Sequence, residues 1–269
     1  MYRPRLPYGI ARRRYLSRLR GRTGRPIVVL TPGKTGSNAV ERVIESAAPD
    51  RPMYKVHRIS EPTVEAAELR YREHSPRRRP RHIWAAQHLR EQLPTPTSPW
   101  DVVTPLREPV GRGVAAYFQT SRRLRHEIDD PARALDGLLS WPQFWASPAW
   151  VDEELRAGLG IDVYGSPFNH GVGYSIIENS ATRLLLVRFE SLSNVHVPLA
   201  EMLGCRVSPP SRANVGEEKG YAMAYKRFKA EVAIPESVLD ELYGSKFARH
   251  FWTDDELDSY RQDWSRGAQ

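Results

Sequence analysis

The sequence is poor in cysteine, in long apolar runs and, over its first 40 residues, in acid. Cys205 is the one cysteine among 269 residues, which excludes an internal disulfide and a cysteine-ligated zinc site and fits a reducing compartment. The apolar runs Ile27–Leu30 and Leu184–Val187 fall far short of the roughly 20 residues of a membrane-spanning helix. No signal-peptide core is expected, because arginine interrupts residues 11–25 every few positions. Zinc fingers, recognition helices and aromatic nucleic-acid motifs are also missing, so specific nucleic-acid binding is not expected. What is present, 40% hydrophobic and 27% charged residues, is the composition of a folded domain. The expectation is a cytoplasmic, metal-independent protein.

The charge is unevenly placed. Lysine and arginine number 40 against 32 acids, a net +8, and the first acid is Glu41. Residues 1–25 hold nine arginines, so residues 26–269 are close to neutral, with 31 basic against 32 acidic residues. The chain thus divides into a basic N-terminal arm, 1–25, flexible or lying on the surface, and a single domain, 26–269. A second basic cluster, Arg77, Arg78, Arg79 and Arg81, surrounds Pro80. Both clusters read either as solvated surface or as contacts for an anionic partner, a polyanionic glycan or the inner membrane face.

Periodicity points to an α/β fold. Pro26 precedes Ile27–Leu30, a buried parallel strand by its continuous apolar run. Val40, Val43, Ile44 and Ala47 form one apolar stripe on a helix starting near Asn38, and Met53–Ile59 reads as the next strand. Further strands are expected at Trp100–Leu106, weakened by Pro105, and at Thr182–Glu190. Helices are expected over Thr63–Glu73, 111–125, 131–160 and Leu192–Leu203. Pro209–Gly220 reads as a polar loop, and the remainder as mostly helical.

Two segments carry candidate chemistry. Thr31-Pro-Gly-Lys-Thr-Gly-Ser-Asn38 lies between a strand and a helix, where small residues let backbone N–H groups and a helix N-terminus face an anion. It reads as such a cradle or as an ordinary glycine-rich turn. It is not a Walker A loop, because Val28 occupies the position of the first glycine. Leu106-Arg-Glu-Pro-Val-Gly-Arg-Gly-Val-Ala-Ala-Tyr-Phe118 places Arg107 at a strand's carboxyl end, where α/β folds bind ligands and a guanidinium suits phosphate. A surface ion pair at a helix start is the competing reading. Among the histidines, His57 on the second strand is the first candidate for a base and His88 the second, while His250 reads as packing among aromatics. Trp141, Trp145 and Trp150 are either sugar-stacking or packing residues.

Together these segments resemble the nucleotide-sulfate-dependent sulfotransferases. Arg107, Glu108, Pro109, Arg112, Val114 and Tyr117 fit that family's 3′-phosphate stretch. Leu184–Leu192 looks like its strand before an acidic turn, and Asn214–Tyr221 like its late loop. Val56–Ser60, Gly160–Phe168 and Tyr243–Phe251 are similar to the bacterial capsular polysaccharide synthesis proteins of sulfotransferase type. The resemblance implies a three-layer, P-loop-like α/β fold with a mainly parallel sheet flanked by helices. It implies sulfuryl transfer from 3′-phosphoadenosine-5′-phosphosulfate to a hydroxyl of a carbohydrate or other small acceptor.

On that resemblance the N–H groups of Thr35, Gly36, Ser37 and Asn38 bind the 5′-phosphate. Lys34 meets the charge on the leaving oxygen. Arg107, Lys219 and Gly220 hold the 3′-phosphate, and His57 or His88 takes the acceptor's proton. The family's second 3′-phosphate serine is Ala115 here, a lost hydroxyl worth roughly 0.5–1.5 kcal/mol; Ser121, Lys219 or an arm residue is the candidate replacement. Two other readings remain open, a magnesium-dependent kinase and a non-catalytic protein that binds polyanions or membranes on the same scaffold.

Overall fold

The computed structural model describes residues 8–19, 21–74, 80–91, 99–124, 128–210 and 220–266. Arg77, Arg78, Arg79, Lys219 and the side chain of Ser121 lie outside the described residues. Five strands form one sheet: β1 (Ile27–Leu30), β2 (Met53–Val56), β3 (Trp100–Leu106), β4 (Tyr174–Glu178) and β5 (Thr182–Arg188), in the order β2-β1-β3-β5-β4. Every pairing is parallel except that of β4 with β5.

The apolar residues of each central strand alternate between two packed faces, as the pleat requires. Ile27, Val29, Val103, Leu185 and Val187 meet helix α2 (Ser37–Ala47) and a later helix, α9 (His196–Leu203), on one face. Val28, Leu30, Val102, Leu184 and Leu186 belong to the larger cluster on the other. Two helices that fill this second face are α4 (Arg81–Glu91), with Trp84 and Leu89, and α5 (Pro109–Leu124), with Val110, Val114 and Phe118. The architecture is mixed α/β, a mostly parallel sheet with helices on both faces.

The remaining helices are α1 (Tyr8–Leu19), α3 (Glu61–His74), α6 (Pro131–Leu139), α7 (Ser147–Val151), α8 (Ala157–Leu159), α10 (Ala222–Glu231), α11 (Glu236–Tyr243), α12 (Lys246–Phe251) and α13 (Asp254–Ser265). Asp130 caps α6 and a Thr253–Glu256 capping box starts α13. No helix among the described residues is long and apolar enough to cross a membrane.

Two departures from the sequence reading have local causes, as does the survival of β3 at its expected bounds. Within the basic arm, α1 packs through Tyr15, whose hydroxyl donates to the Met53 carbonyl at 3.2 Å and whose ring meets Trp84 edge-on at 4.9 Å. Arg13, Arg14 and Arg18 remain on its exposed side. The second strand stops at Val56 and not at Ile59; the Ile59 and Ser60 N–H groups donate to the Glu154 carboxylate in place of a neighbouring strand. β3 runs through Pro105, which lies beyond Val103, the last residue paired with β1; the missing N–H therefore sits where one neighbour strand has already ended.

At the amino end of β3, opposite the ends that build the site, Asp101 is fully buried. Its carboxylate pairs with Arg25 at 3.2 Å, Arg183 at 3.1 Å and Arg51. These contacts tie the entry to β1, the entry to β2 and β5 to one buried charge. Removing it leaves guanidinium groups without their partner. We expect Asp101→Ala to cost about 3 kcal/mol in urea unfolding, at the low end of the range for a broken buried pair because Arg25 and Arg183 reach solvent. A loss below about 1 kcal/mol would contradict this role.

Candidate functional site

From β1 the chain goes to β2 on one side of the sheet, whereas β3 and β5 lie on the other. The loops leaving β1 and β3 therefore diverge, and a crevice opens outside their carboxyl ends. A cavity of about 930 Å³ occupies this position. Each of the four parallel strands delivers a side chain to it just past its carboxyl end: Lys34 after β1, His57 after β2, Arg107 after β3 and Phe189 after β5. Among the described residues the wall includes seven lysines and arginines and no aspartate or glutamate.

The turn between β1 and α2 has unusual backbone. Gly33, Lys34 and Gly36 have φ of +85°, +66° and +80°. A side chain at Gly36 would run into Leu192 and Phe189, so glycine is required there both for its conformation and for the close approach. Lys34 is the one non-glycine residue with positive φ among the described residues, a conformation that costs about 1–2 kcal/mol. Its Nζ donates to the Tyr221 hydroxyl at 3.2 Å. Thr35 is fully buried, and its hydroxyl bonds that of Thr31 at 2.6 Å, so its side chain holds the turn together rather than facing the cavity. Gly36, Ser37 and Asn38 line the wall, and N–H groups in the first turn of α2 lack partners within the helix. The side-chain oxygen of Asn38 is already engaged by Lys55, which also pairs with Glu41 at 2.9 Å.

Arg107 lies beside this turn. Its guanidinium stacks over Phe189, 4.7 Å from the ring centre, and Nη1 reaches the Lys34 carbonyl at 3.5 Å, the outer limit of a hydrogen bond. Glu108 points the other way. It accepts from Gly111 N–H and the Tyr243 hydroxyl, and burial raises its pKa. One face of α5 continues the wall, with Arg112, Ala115, Ala116, Gln119 and Thr120 at helical spacing. Arg112 donates to the carbonyls of Gln143 and Phe144, yet its buried Nε has no partner among the described residues. Burial, with the nearby Arg107 charge, lowers its pKa to about 10. Gln119 and Thr120 are polar groups on the same face as Ala115. Gly220 is exposed next to Tyr221, Tyr221 lines the cavity, and Gly220 itself does not.

His57 faces the cavity with a fixed tautomer. Its Nδ1 lies 2.8 Å from the Thr31 carbonyl. A carbonyl can only accept, so Nδ1 carries the proton and Nε2 keeps its lone pair. Burial lowers the pKa of His57, and the charges of Lys55, Arg58 and Arg81 lower it further, against the Thr31 bond. The ring of His82, from the first turn of α4, lies 4.5 Å from that of His57 and also lines the cavity. His88 does not line it. It stands six residues along α4, roughly 240° around the helix, near Tyr54 and Glu91. Trp141 and Trp150 reach the wall, whereas Trp145 donates to the Leu139 carbonyl outside it. His250 packs edge-on against Tyr164 and Phe251.

The loop that carries His57 is clamped from the far side. Trp150 Nε1 donates to the His57 carbonyl at 2.9 Å. Glu154, in a π-helical turn (Asp152–Arg156) between α7 and α8, accepts from Ile59 and Ser60 N–H at 2.6 and 2.9 Å. A Cβ on Gly158 would fall 2.7 Å from the Ile59 side chain, so this approach needs glycine. No local pattern in the sequence marks Glu154, because its partners lie about 95 residues away. We expect Glu154→Ala to raise amide hydrogen exchange at Ile59 and Ser60 by at least about tenfold, as local opening becomes easier. Unchanged protection would contradict the clamp.

Residues 145–253 match the model of a family described as "Putative capsular polysaccharide synthesis protein". No curated protein and no solved structure matches the chain. The matched span contains Trp150, Glu154, Gly158, Phe189 and Tyr221 but stops short of Lys34, His57 and Arg107. The match supports the capsular polysaccharide part of the resemblance.

Proposed function

We propose that the protein is a sulfotransferase that moves a sulfuryl group from 3′-phosphoadenosine-5′-phosphosulfate to a hydroxyl of a glycan, on a P-loop-like scaffold. The observation that carries this reading is the convergence of Lys34 and Arg107 on one cavity whose described wall holds seven basic residues and no acid. Such a wall suits a multiply anionic ligand. It offers no carboxylate to hold magnesium, which disfavours the kinase reading.

The chain's residues fit a nucleotide with phosphates at two positions. N–H groups at the start of α2 and the ammonium of Lys34 face one anionic group, as helix N-termini and lysine do for phosphate. Arg107, stacked on Phe189, presents its guanidinium to the other. The unpartnered Nε of buried Arg112 marks an unmet donor on the same wall.

When bound, the donor supplies the sulfuryl group, which bonds to the acceptor oxygen while the leaving phosphate oxygen keeps the electron pair. His57 Nε2 takes the acceptor's proton, and its depressed pKa keeps it neutral and able to do so. Lys34 stabilises the charge that grows on the leaving oxygen. The Thr31 carbonyl holds the imidazole in the tautomer this needs.

Release of adenosine 3′,5′-bisphosphate from the donor, measured with capsular-type oligosaccharides and no divalent cation, tests the reading. Lys34→Ala should lower kcat by about 100- to 1000-fold with the fold intact; turnover retained in that variant would contradict the mechanism. The pH dependence has a definite sign. A base whose pKa is depressed stays neutral to lower pH, so the acid limb of kcat/KM, which reports the free enzyme, should lie below pH 6.5, the ordinary histidine value. His57→Gln should abolish that limb along with most of the rate. A limb above pH 6.5, or one that persists in the variant, would assign the base elsewhere.

A further inference from the structure

We infer that His82 is a positioning residue for the base: its ring covers one face of the His57 imidazole, shelters it from water and keeps Nε2 turned to the cavity. The role of His57 as the base rests on the sulfotransferase reading, whereas the contact between the two rings stands without it.

Hydrogen bonding alone does not hold the His57 ring. Nδ1 bonds the Thr31 carbonyl at 2.8 Å, and Trp150 holds the residue's own carbonyl. One bond at Nδ1 fixes that edge but leaves the ring able to swing about it. The plane is set by what packs on it. The His82 ring stands 4.5 Å away, centre to centre, at 51°, within the separation of packed aromatic pairs. The turn after β1 approaches as well, since a Cβ on Gly33 would lie 3.7 Å from Cε1 of His57. Tyr71 of α3 meets His82 edge-on at 6.2 Å, so three rings from three elements stand in a row. The helix beneath His82 is firm, because Ile83, Trp84, Ala85, Ala86 and Leu89 of α4 are buried.

This cover has an electrostatic consequence. Burial is the largest cause of the lowered His57 pKa, and the charges of Lys55 on β2, Arg58 beside it and Arg81 at the start of α4 act in the same direction. Two carboxylates oppose those cations. Glu41 pairs with Lys55 at 2.9 Å and Arg81 at 2.8 Å, while Glu154 lies 3.9 Å from Arg58 and accepts from Ile59 and Ser60. Cutting back the His82 ring leaves all of these charges in place and admits water to one face of His57. Water stabilises the imidazolium, so the pKa then moves up toward its ordinary value. A phenyl ring at position 82 keeps the cover without a second titrating group. The two kinds of substitution therefore separate covering from proton exchange between the histidines.

The test is a nuclear magnetic resonance titration of the full, unliganded chain with nitrogen-15-labelled histidine, the His57 signals being assigned by their loss in His57→Gln. In the unaltered chain His57 should titrate below pH 6.5 with the proton on Nδ1. His82→Phe should keep that tautomer and hold the midpoint within about 0.3 pH unit. His82→Ala should raise the midpoint by at least about 0.5 pH unit and mix the two tautomers. His82→Asn, polar but without a ring face, should follow the alanine variant. In the transfer assay, kcat should fall at least about tenfold in His82→Ala and stay within about threefold in His82→Phe, with the KM for the donor unchanged in both. An unmoved midpoint in the alanine and asparagine variants, or an equal rise in His82→Phe, would overturn the inference. Absence of sulfuryl transfer by the unaltered chain would refute the enzymatic reading instead, and the titrations would still decide whether His82 covers His57.

Discussion

Like charges gathered in one recess repel each other, and that repulsion is the constraint around which this molecule is organised. Lys34, Arg107 and Arg112 line a single cavity with four other basic residues and no acid among the described wall. At Arg112 burial is the larger cost and the neighbouring Arg107 charge adds to it, together lowering its pKa to about 10. A fold that only needed stability would place carboxylates there, as it does around Arg25, Arg51 and Arg183 at the opposite end of β3, where buried Asp101 serves three arginines. At the carboxyl end the described wall itself holds no acid, and the carboxylates that meet it, Glu41 on Lys55 and Glu154 near Arg58, stand behind it. The sheet topology makes this possible, because the strand order reverses between β1 and β3 and separates the two loops that carry the cations.

The rest of the site keeps these groups apart and aimed. Left-handed residues at Gly33, Lys34 and Gly36 let the first loop curl tightly, and the buried Thr31–Thr35 pair fixes it from beneath. The Thr31 carbonyl also sets the tautomer of His57, so the turn after β1 and the histidine share one structural atom. From the other side, Trp150 and Glu154 hold the backbone that carries His57. A π-helical turn at Glu154 is a local irregularity of the kind often found beside functional sites. It falls within the span matched by the family model. The N-terminal and C-terminal parts of the chain therefore meet at the histidine.

What could be read in the sequence follows from the range of each signal. β1, β3 and α2 are written locally, in a short apolar run, in Trp100–Leu106 and in an apolar stripe at helical spacing, and the structure places them there. Lys34 and Arg107 were read as candidates because they follow strands, whose ends expose ligand-binding groups in such folds, and His57 as a residue of the second strand; the structure brings all three to one cavity wall. β4 was not anticipated, since Tyr174–Glu178 becomes a strand only by pairing antiparallel with β5. His88 and His82 lie on one helix, and residue type alone does not say which faces the cavity; rotation about α4 gives the position to His82. Glu154 reads as one acid among several, Asp152 and Glu153 beside it. Only the tertiary contact with Ile59 and Ser60 singles it out.

The most direct measurement is the affinity of the full chain for adenosine 3′,5′-bisphosphate by calorimetry, compared across Lys34→Ala, Arg107→Ala and the double variant. The account predicts one site, weakened at least about tenfold by each single change, with a coupling of about 0.5 kcal/mol or more between them, since both cations would act on one ligand. Wild-type affinity in either single variant, or no binding by the unaltered chain, would contradict it.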